Sequence, residues 1–419
     1  MSDLNIWNKW GKLKTVMIGN NYSGDFFRDV KNSKVRSALQ RIADETLDDL
    51  ENYKDVLKDF GCKVIQPEMD RSESIMDFVG ENGQLDPELH ILPRGPLQVR
   101  DCQLVAGNHL YYTGWDHPAI KAKLDEHYPE YRLALIHDVE KYHPIIRKNR
   151  FDKWAGSDWL TFDDYLKPDY WDRIPDFVKE EIKSIRSLSN NHVTDAPSIT
   201  VVGKDIYIDM YKPSKVDDPY ENTVNALRIK ERFIEDTFGE DFRVNTLHIG
   251  GHNDGCFHTI KPGAMLSLNK IQTYEDTFPG WDVCYLPDQS WSKVAGFMKM
   301  KRETRGKWWI PGEEDNEALT EFVESWLQDW VGYVEETVFD VNVLVLDEHH
   351  VCVSQQDNEQ VNQFLKKHKM EPVYVPWRHR YFWDGGLHCI TLDLEREGGQ
   401  EDYFPQRESG IVDLGFDED

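Results

Sequence analysis

Residues 246–268, TLHIGGHNDGCFHTIKPGAMLSL, show the unit from which this chain is built. An apolar run from Thr246 to Ile249 stops at Gly250-Gly251, a second from Cys256 to Ile260 stops at Pro262-Gly263, and a third runs from Ala264 to Leu268. Short apolar runs punctuated by glycine and proline read as strands joined by tight turns. His252 and Asp254 stand just ahead of the second strand, and alternation along a strand would place them on one face. Units of the same kind recur in both directions. Lys14 to Gly19 reads as a strand, Ser37 to Asp59 as an amphipathic helix and Cys62 to Gln66 as a strand. Cys102 to Ala106 and His109 to Tyr112 form a hairpin over Gly107-Asn108, and Ile199 to Val202 with Ile206 to Ile208 form another over Gly203-Lys204-Asp205. Val341 to Leu346 and Val351 to Val353 flank Asp347-Glu348-His349-His350, before a helix from Asn358 to Lys369 and a strand from Val373 to Val375. No sequence repeat is visible, so the periodicity is one of element type, and the class is α/β.

The residues able to do chemistry sit at equivalent places in these units. Arg100-Asp101, Asp195 and Asp254 each precede a hairpin, and Cys389 in Trp383-Asp384-Gly385-Gly386-Leu387-His388-Cys389-Ile390-Thr391 precedes a strand. A cycle of such units would bring them to one rim. The two glycines allow the backbone to turn tightly beside Cys389. His388 reads as support for that loop, Cys102 and Cys256 as packing thiols, and His349-His350 as a solvated turn rather than a metal site.

With 419 residues, 39% of them hydrophobic and 12% aromatic, the chain can bury a sizeable core. It reads as a single domain, 1–396, with aromatic-rich insertions near 140–190 and 290–335. The second insertion holds a helix from Glu314 to Val334, and 397–419 forms an acidic tail. A net charge of -27 disfavours nucleic acid and anionic membranes as partners and suits a cationic small molecule. The six cysteines lack the close pairing of a zinc site or a disulfide scaffold, and no apolar run is long enough to span a membrane. These features point to a cytoplasmic protein with reduced thiols.

Several motifs, in order, resemble amidinotransferases of the glycine amidinotransferase type, within the superfamily that also holds arginine deiminases and dimethylarginine hydrolases. They are Trp10-Gly11-Lys12-Leu13-Lys14-Thr15-Val16-Met17-Ile18-Gly19, the Arg100-Asp101 hairpin, Asp195-Ala196 with its hairpin, His252-x-Asp254-x-x-Phe257, Asn342 to Glu348, and Gly385-Gly386-Leu387-His388-Cys389. The resemblance implies a five-bladed α/β propeller (pentein) of ββαβ modules with pseudo-fivefold symmetry, acting as a homodimer. It implies transfer of the amidino group from L-arginine to glycine or another primary amine through an amidino-cysteine, releasing ornithine, with no cofactor or metal. Carried over by position, Cys389 is the nucleophile, His252 the general acid and base, and Asp195 the carboxylate orienting it. Asp101 and Asp254 bind the guanidinium, with Arg100 and Asp340 beside the substrate. Paired carboxylates suit that cation because its forked N–H groups donate to both oxygens. The chain departs from its relatives at Ser198, where many have a second carboxylate, at Ile271, where some have a carboxylate-binding arginine, and at Asp340, where they have serine. A hydrolase of the same fold would share the catalytic groups, and a non-catalytic binding protein is the more distant rival.

Overall fold

A computed structural model describes residues 4–79, 94–112, 117–129, 132–134, 196–209, 234–247, 249, 252–268, 274–286, 313, 316–327, 330–331, 338–383, 385–407 and 412–413. Among these residues the strands gather into five small sheets. Four share one plan, an antiparallel hairpin whose second strand pairs in parallel with a third. They are β3 (Gln103–Ala106), β4 (His109–Tyr112) and β5 (Arg132–Ala134); β6 (Ile199–Val202), β7 (Asp205–Asp209) and β8 (Arg243–Leu247); β9 (Phe257–Lys261), β10 (Ala264–Leu268) and β11 (Asp282–Leu286); and β12 (Leu344–Asp347), β13 (His350–Val353) and β14 (Glu371–Tyr374). The fifth has the same pairing but draws its antiparallel pair from distant parts of the chain. β15 (Thr391–Arg396) lies against β1 (Leu13–Ile18), with Ile18 opposite Thr391 and Leu13 opposite Arg396, and β1 pairs in parallel with β2 (Lys63–Ile65). That sheet fixes the strand after Cys389 to the beginning of the fold.

A parallel pair needs a crossover, and a helix is the usual one. Ser33–Asp59 joins β1 to β2, Pro118–His127 joins β4 to β5, and Glu359–Lys367 joins β13 to β14. The first begins where the Asn32 side chain accepts from the Lys34 and Val35 amides, and it buries Val35, Ala38, Leu39, Ile42, Leu50, Tyr53 and Leu57 along one face. These side chains pack with Val16, Ile18, Leu344, Leu387 and Ile390, so the core lies directly behind the Cys389 loop. The hairpins over Gly107 and Gly203 turn through φ of 59° and 63°, a region where a side chain is strained.

The structure differs from the sequence expectation at the lead-in to each of these hairpins. Val99–Cys102, Asn253–Cys256 and Val338–Val341 are single helical turns, and Ala196–Ser198 is a single 3-10 turn. The strand expected from Val341 therefore begins at Leu344. His252 and Asp254 do not alternate along a strand: His252 caps the turn and is exposed, whereas Asp254, inside it, is buried. One turn holds too few residues to show a helical period, which is why these segments look like strand beginnings.

The first aromatic insertion lies outside the described residues. In the second, the helix is Glu317–Trp326, with Leu319 and Val323 packed into the same core as Ser33–Asp59. The stretch after Arg396, expected as a tail, returns to the fold: the Lys204 amide donates to the Glu401 carbonyl, Arg407 reaches Asp205, and β16 (Val412–Asp413) pairs in parallel with β8.

Candidate active site

Cys389 ends a loop, Gly385 to Ile390, that the core and two neighbouring helical turns hold in place. The Trp377 indole donates to the Gly385 carbonyl at 2.7 Å, and the Ile390 carbonyl accepts from the Gly19 amide at 2.8 Å. A side chain at Gly386 would collide with Asn342, its Cβ falling 2.5 Å from Oδ1, so this glycine is needed for close approach. Asn342 follows the turn Val338–Val341. Its Oδ1 accepts from the amides of His388 at 3.0 Å and Cys389 at 3.1 Å, while Nδ2 donates to the Cys389 sulfur at 3.1 Å and the Asp254 carbonyl at 3.2 Å.

The Asp254 carboxylate stands across from the thiol. Its Oδ2 meets His388 Nδ1 at 2.7 Å and accepts from the Cys389 Sγ at 3.8 Å. Its other oxygen, Oδ1, and the His388 Nε2 are buried without a hydrogen-bond partner among the described residues. Burial raises the Asp254 carboxyl above the usual range, opposed by His252, Arg100 and Lys9. Burial likewise drives the His388 imidazole well below its ordinary value, with Arg100 adding to the effect. The Cys389 thiol is pushed well up, first by burial and then by Asp254 and Asp101; the Gly386 backbone and Asn342 oppose this. A cation seated against the two carboxylates would remove the larger part of that repulsion and favour the thiolate.

Of the other expected site residues, His252 is exposed at the start of the Asp254 turn. Asp101 lies half-buried on the turn Val99–Cys102, near enough for its charge to act on Cys389. Arg100, expected at the substrate, is directed behind the loop: its Nε donates to the His388 carbonyl at 2.9 Å and Nη2 to Asp393 at 2.8 Å, and it is 3% exposed. Asp340 is buried and accepts from Asn358 at 2.7 Å, at the cap of the helix Glu359–Lys367. Asp195, Ile271 and the side chain of Cys102 lie outside the described residues, while Ser198 is buried. Cys62, Cys256, Cys284, Cys352 and Cys389 are free thiols. His350, expected as solvated, is half-buried with its Nδ1 at 2.9 Å from Asp347. Among the described residues no group of three His, Cys, Asp or Glu side chains is placed to hold a metal. Sequence reasoning gave Asn342 no role, because it read Val341 to Leu346 as one strand and so placed Asn342 inside it, whereas the structure leaves Asn342 ahead of β12.

No protein-family profile matches the chain. Its fold is that of solved amidinotransferases: SxtG from Microseira wollei, of the saxitoxin biosynthetic pathway, at a TM-score of 0.55 and 15% identity over 96% of this chain and 99% of that one. Inosamine-phosphate amidinotransferase from Streptomyces griseus gives 0.55 and 16% over the same shares. In sequence the chain is similar to L-arginine:L-lysine amidinotransferase of Pseudomonas savastanoi pv. phaseolicola, 23% identical over 50% of this chain and 46% of that protein. It is also 22% identical to a mitochondrial glycine amidinotransferase of Xenopus laevis, over 86% of this chain and 71% of that one. The glycine amidinotransferase of Xenopus tropicalis is matched over 56% of its length. The chain thus spans about half the length of the first two of these sequence relatives to be matched. In sequence and in fold the chain is thus similar to amidinotransferases.

Proposed function

We propose that the protein is an amidinotransferase that moves the amidino group of L-arginine to an acceptor amine through a covalent intermediate on Cys389. The observation that carries this reading is the buried thiol 3.8 Å from Asp254, in a chain similar to amidinotransferases in both sequence and fold. The guanidinium would donate to Asp254, whose Oδ1 is buried without a partner among the described residues, and to Asp101. Its charge offsets theirs, so substrate binding itself would favour the thiolate. Sulfur then adds to the guanidino carbon and forms a C–S bond. The tetrahedral adduct collapses by breaking the C–N bond to the δ-nitrogen, His252 gives that nitrogen a proton, and ornithine leaves. An incoming amine adds to the amidino carbon, His252 takes its proton, and the C–S bond breaks to free the thiol. Asp195, by the resemblance, orients His252.

The relatives' names point to lysine and glycine as acceptors for those proteins, so primary amines are the class to test. The five sheets of one pairing plan, with β1 and β15 joining distant parts of the chain, support reading the fold as a five-bladed propeller. We further read the protein as a cytoplasmic homodimer, from the free thiols and the resemblance, and sedimentation would count its subunits. The deciding experiment incubates the protein with arginine, alone and with glycine or lysine, and identifies products by mass spectrometry. Ornithine formed only with an amine, alongside that amine's guanidino derivative, supports the transferase. Citrulline or ammonia from arginine alone would assign a hydrolase. Cys389→Ala should abolish turnover and leave the melting curve intact, and persisting turnover would sink the cysteine mechanism.

A further inference from the structure

We infer that Asn342 is a catalytic residue of this site, its side-chain amide donating a hydrogen bond to the Cys389 sulfur that stabilises the thiolate and aims it. The inference rests on Cys389 being the nucleophile and adds a group to which the sequence motifs gave no role.

The orientation of the amide follows from its partners. Oδ1 is flanked by two backbone N–H groups, those of His388 and Cys389, at 3.0 and 3.1 Å. Two donors require an acceptor, so the oxygen must face the loop and the amino group must face the sulfur. The amino group has two hydrogens and two acceptors to meet, the Cys389 Sγ at 3.1 Å and the Asp254 carbonyl at 3.2 Å. Asn342 is 1% exposed, so neither bond competes with bulk water. One side chain therefore fixes the loop carrying the nucleophile, the turn carrying Asp254 and the sulfur between them. An N–H donor aimed at sulfur favours the charged over the protonated form, opposing the carboxylates nearby.

The charged groups acting on the thiol are Asp254 from Asn253–Cys256 and Asp101 from Val99–Cys102, and His388 from its own loop lies against Asp254. Arg100, Lys9, His258, Asp393 and Arg396 form the next layer behind His388 and Asp254. The Gly386 backbone and the Asn342 side chain are the neutral groups that act on the sulfur in the opposite sense, and Asn342 is the one a substitution can remove. Asn342→Asp keeps an oxygen for the two loop amides but replaces the donor to sulfur with a second acceptor. Asn342→Ala removes both.

The test reads the rate at which iodoacetamide alkylates Cys389 as a function of pH, quantified on the Cys389 peptide by mass spectrometry. It needs no substrate, so it stands whether or not amidino transfer is the activity. In both variants the alkylation profile should move to higher pH, with the rate near neutral pH falling about tenfold, the size expected for one buried hydrogen bond. A purely structural asparagine would change the melting temperature and leave the profile of the folded protein in place; that result would overturn the inference. If the buried charge of Asn342→Asp prevents folding, Asn342→Ala decides alone. The wild type provides an independent reading: alkylating Cys389 should shift the Asn342 side-chain amide resonances, and their indifference would equally overturn the inference.

Discussion

Two carboxylates in this molecule are each held between two arginines, yet they serve different ends. Asp393 on β15 accepts from Arg100 Nη2 at 2.8 Å and Arg396 Nε at 2.9 Å. Asp205 on β7 accepts from Arg243 Nη2 at 2.5 Å and Arg407 Nη1 at 2.9 Å. The arginine side chains around Asp393 are 4% and 1% exposed, against 11% and 9% around Asp205. Burial opposes the charge on Asp393, but Arg396, Arg100 and Lys9 together hold its carboxyl far below the usual range. The spare donors go to different places. Arg100 Nε holds the His388 carbonyl, and its backbone amide reaches the Cys389 carbonyl at 3.3 Å, so this cluster underpins the Cys389 loop. Arg243 holds Asp402 and the Phe404 and Arg407 carbonyls, so the other cluster fastens the segment after Arg396 to β7 and β8. Gly203, in the turn above it, gives this segment room: a Cβ there would fall 2.0 Å from the Glu401 carbonyl. The same ionic device holds the Cys389 loop where its donors reach that loop, and clamps a chain segment where they do not.

The sharpest way to break this contrast is to remove one partner of the dry cluster. Asp393→Asn leaves Arg100 and Arg396 buried without their counter-charge and should cost about 3–5 kcal/mol of stability. Turnover should fall further than the folded fraction does, since Arg100 also anchors the loop; a kcat unchanged after correction for folded protein would mean that the loop holds itself. Next in size, Asp205→Asn leaves guanidiniums that reach water and should cost about 1–3 kcal/mol. Its kcat should stay within about twofold, and a loss as large as that of Asp393→Asn would erase the distinction between the clusters.

The third test concerns Lys9, buried beside the first cluster. Burial, and then the charge of Arg100, lowers its ammonium from the ordinary value to about 7. Between that value and the lysine norm of about 10.4 Lys9 binds fewer protons in the folded chain than in the unfolded one, so its own contribution to stability rises with pH across this window. Below it the charge is carried in the fold at a cost. Lys9→Met should flatten the rise in melting temperature between about pH 7 and about pH 9, and an identical slope in the variant would show that Lys9 does not couple to folding.

Local pattern was enough to locate the strands on either side of Gly107 and Gly203, the helix that became Ser33–Asp59 and the placement of Asp101, Asp254 and Cys389 ahead of strands, because each rests on apolar spacing or on a turn residue. It was not enough for the helical turns that carry those residues, which are too short to show a period, nor for the return of the segment after Arg396, whose acidic composition hides contacts made through Arg407 and backbone carbonyls. Arg100 shows the limit most clearly. Its position beside Asp101 suggested the substrate, but the direction of a guanidinium depends on where the nearest buried carboxylate lies, and Asp393 is 293 residues away along the chain. The sequence by itself determined the class of fold, the order of its units and the residue types available for chemistry. Only the tertiary structure decided which of them meet: that Asn342 faces the Cys389 sulfur, that His388 lies against Asp254, and that Arg100 turns to the rear, since each depends on strands far apart in the chain packing side by side.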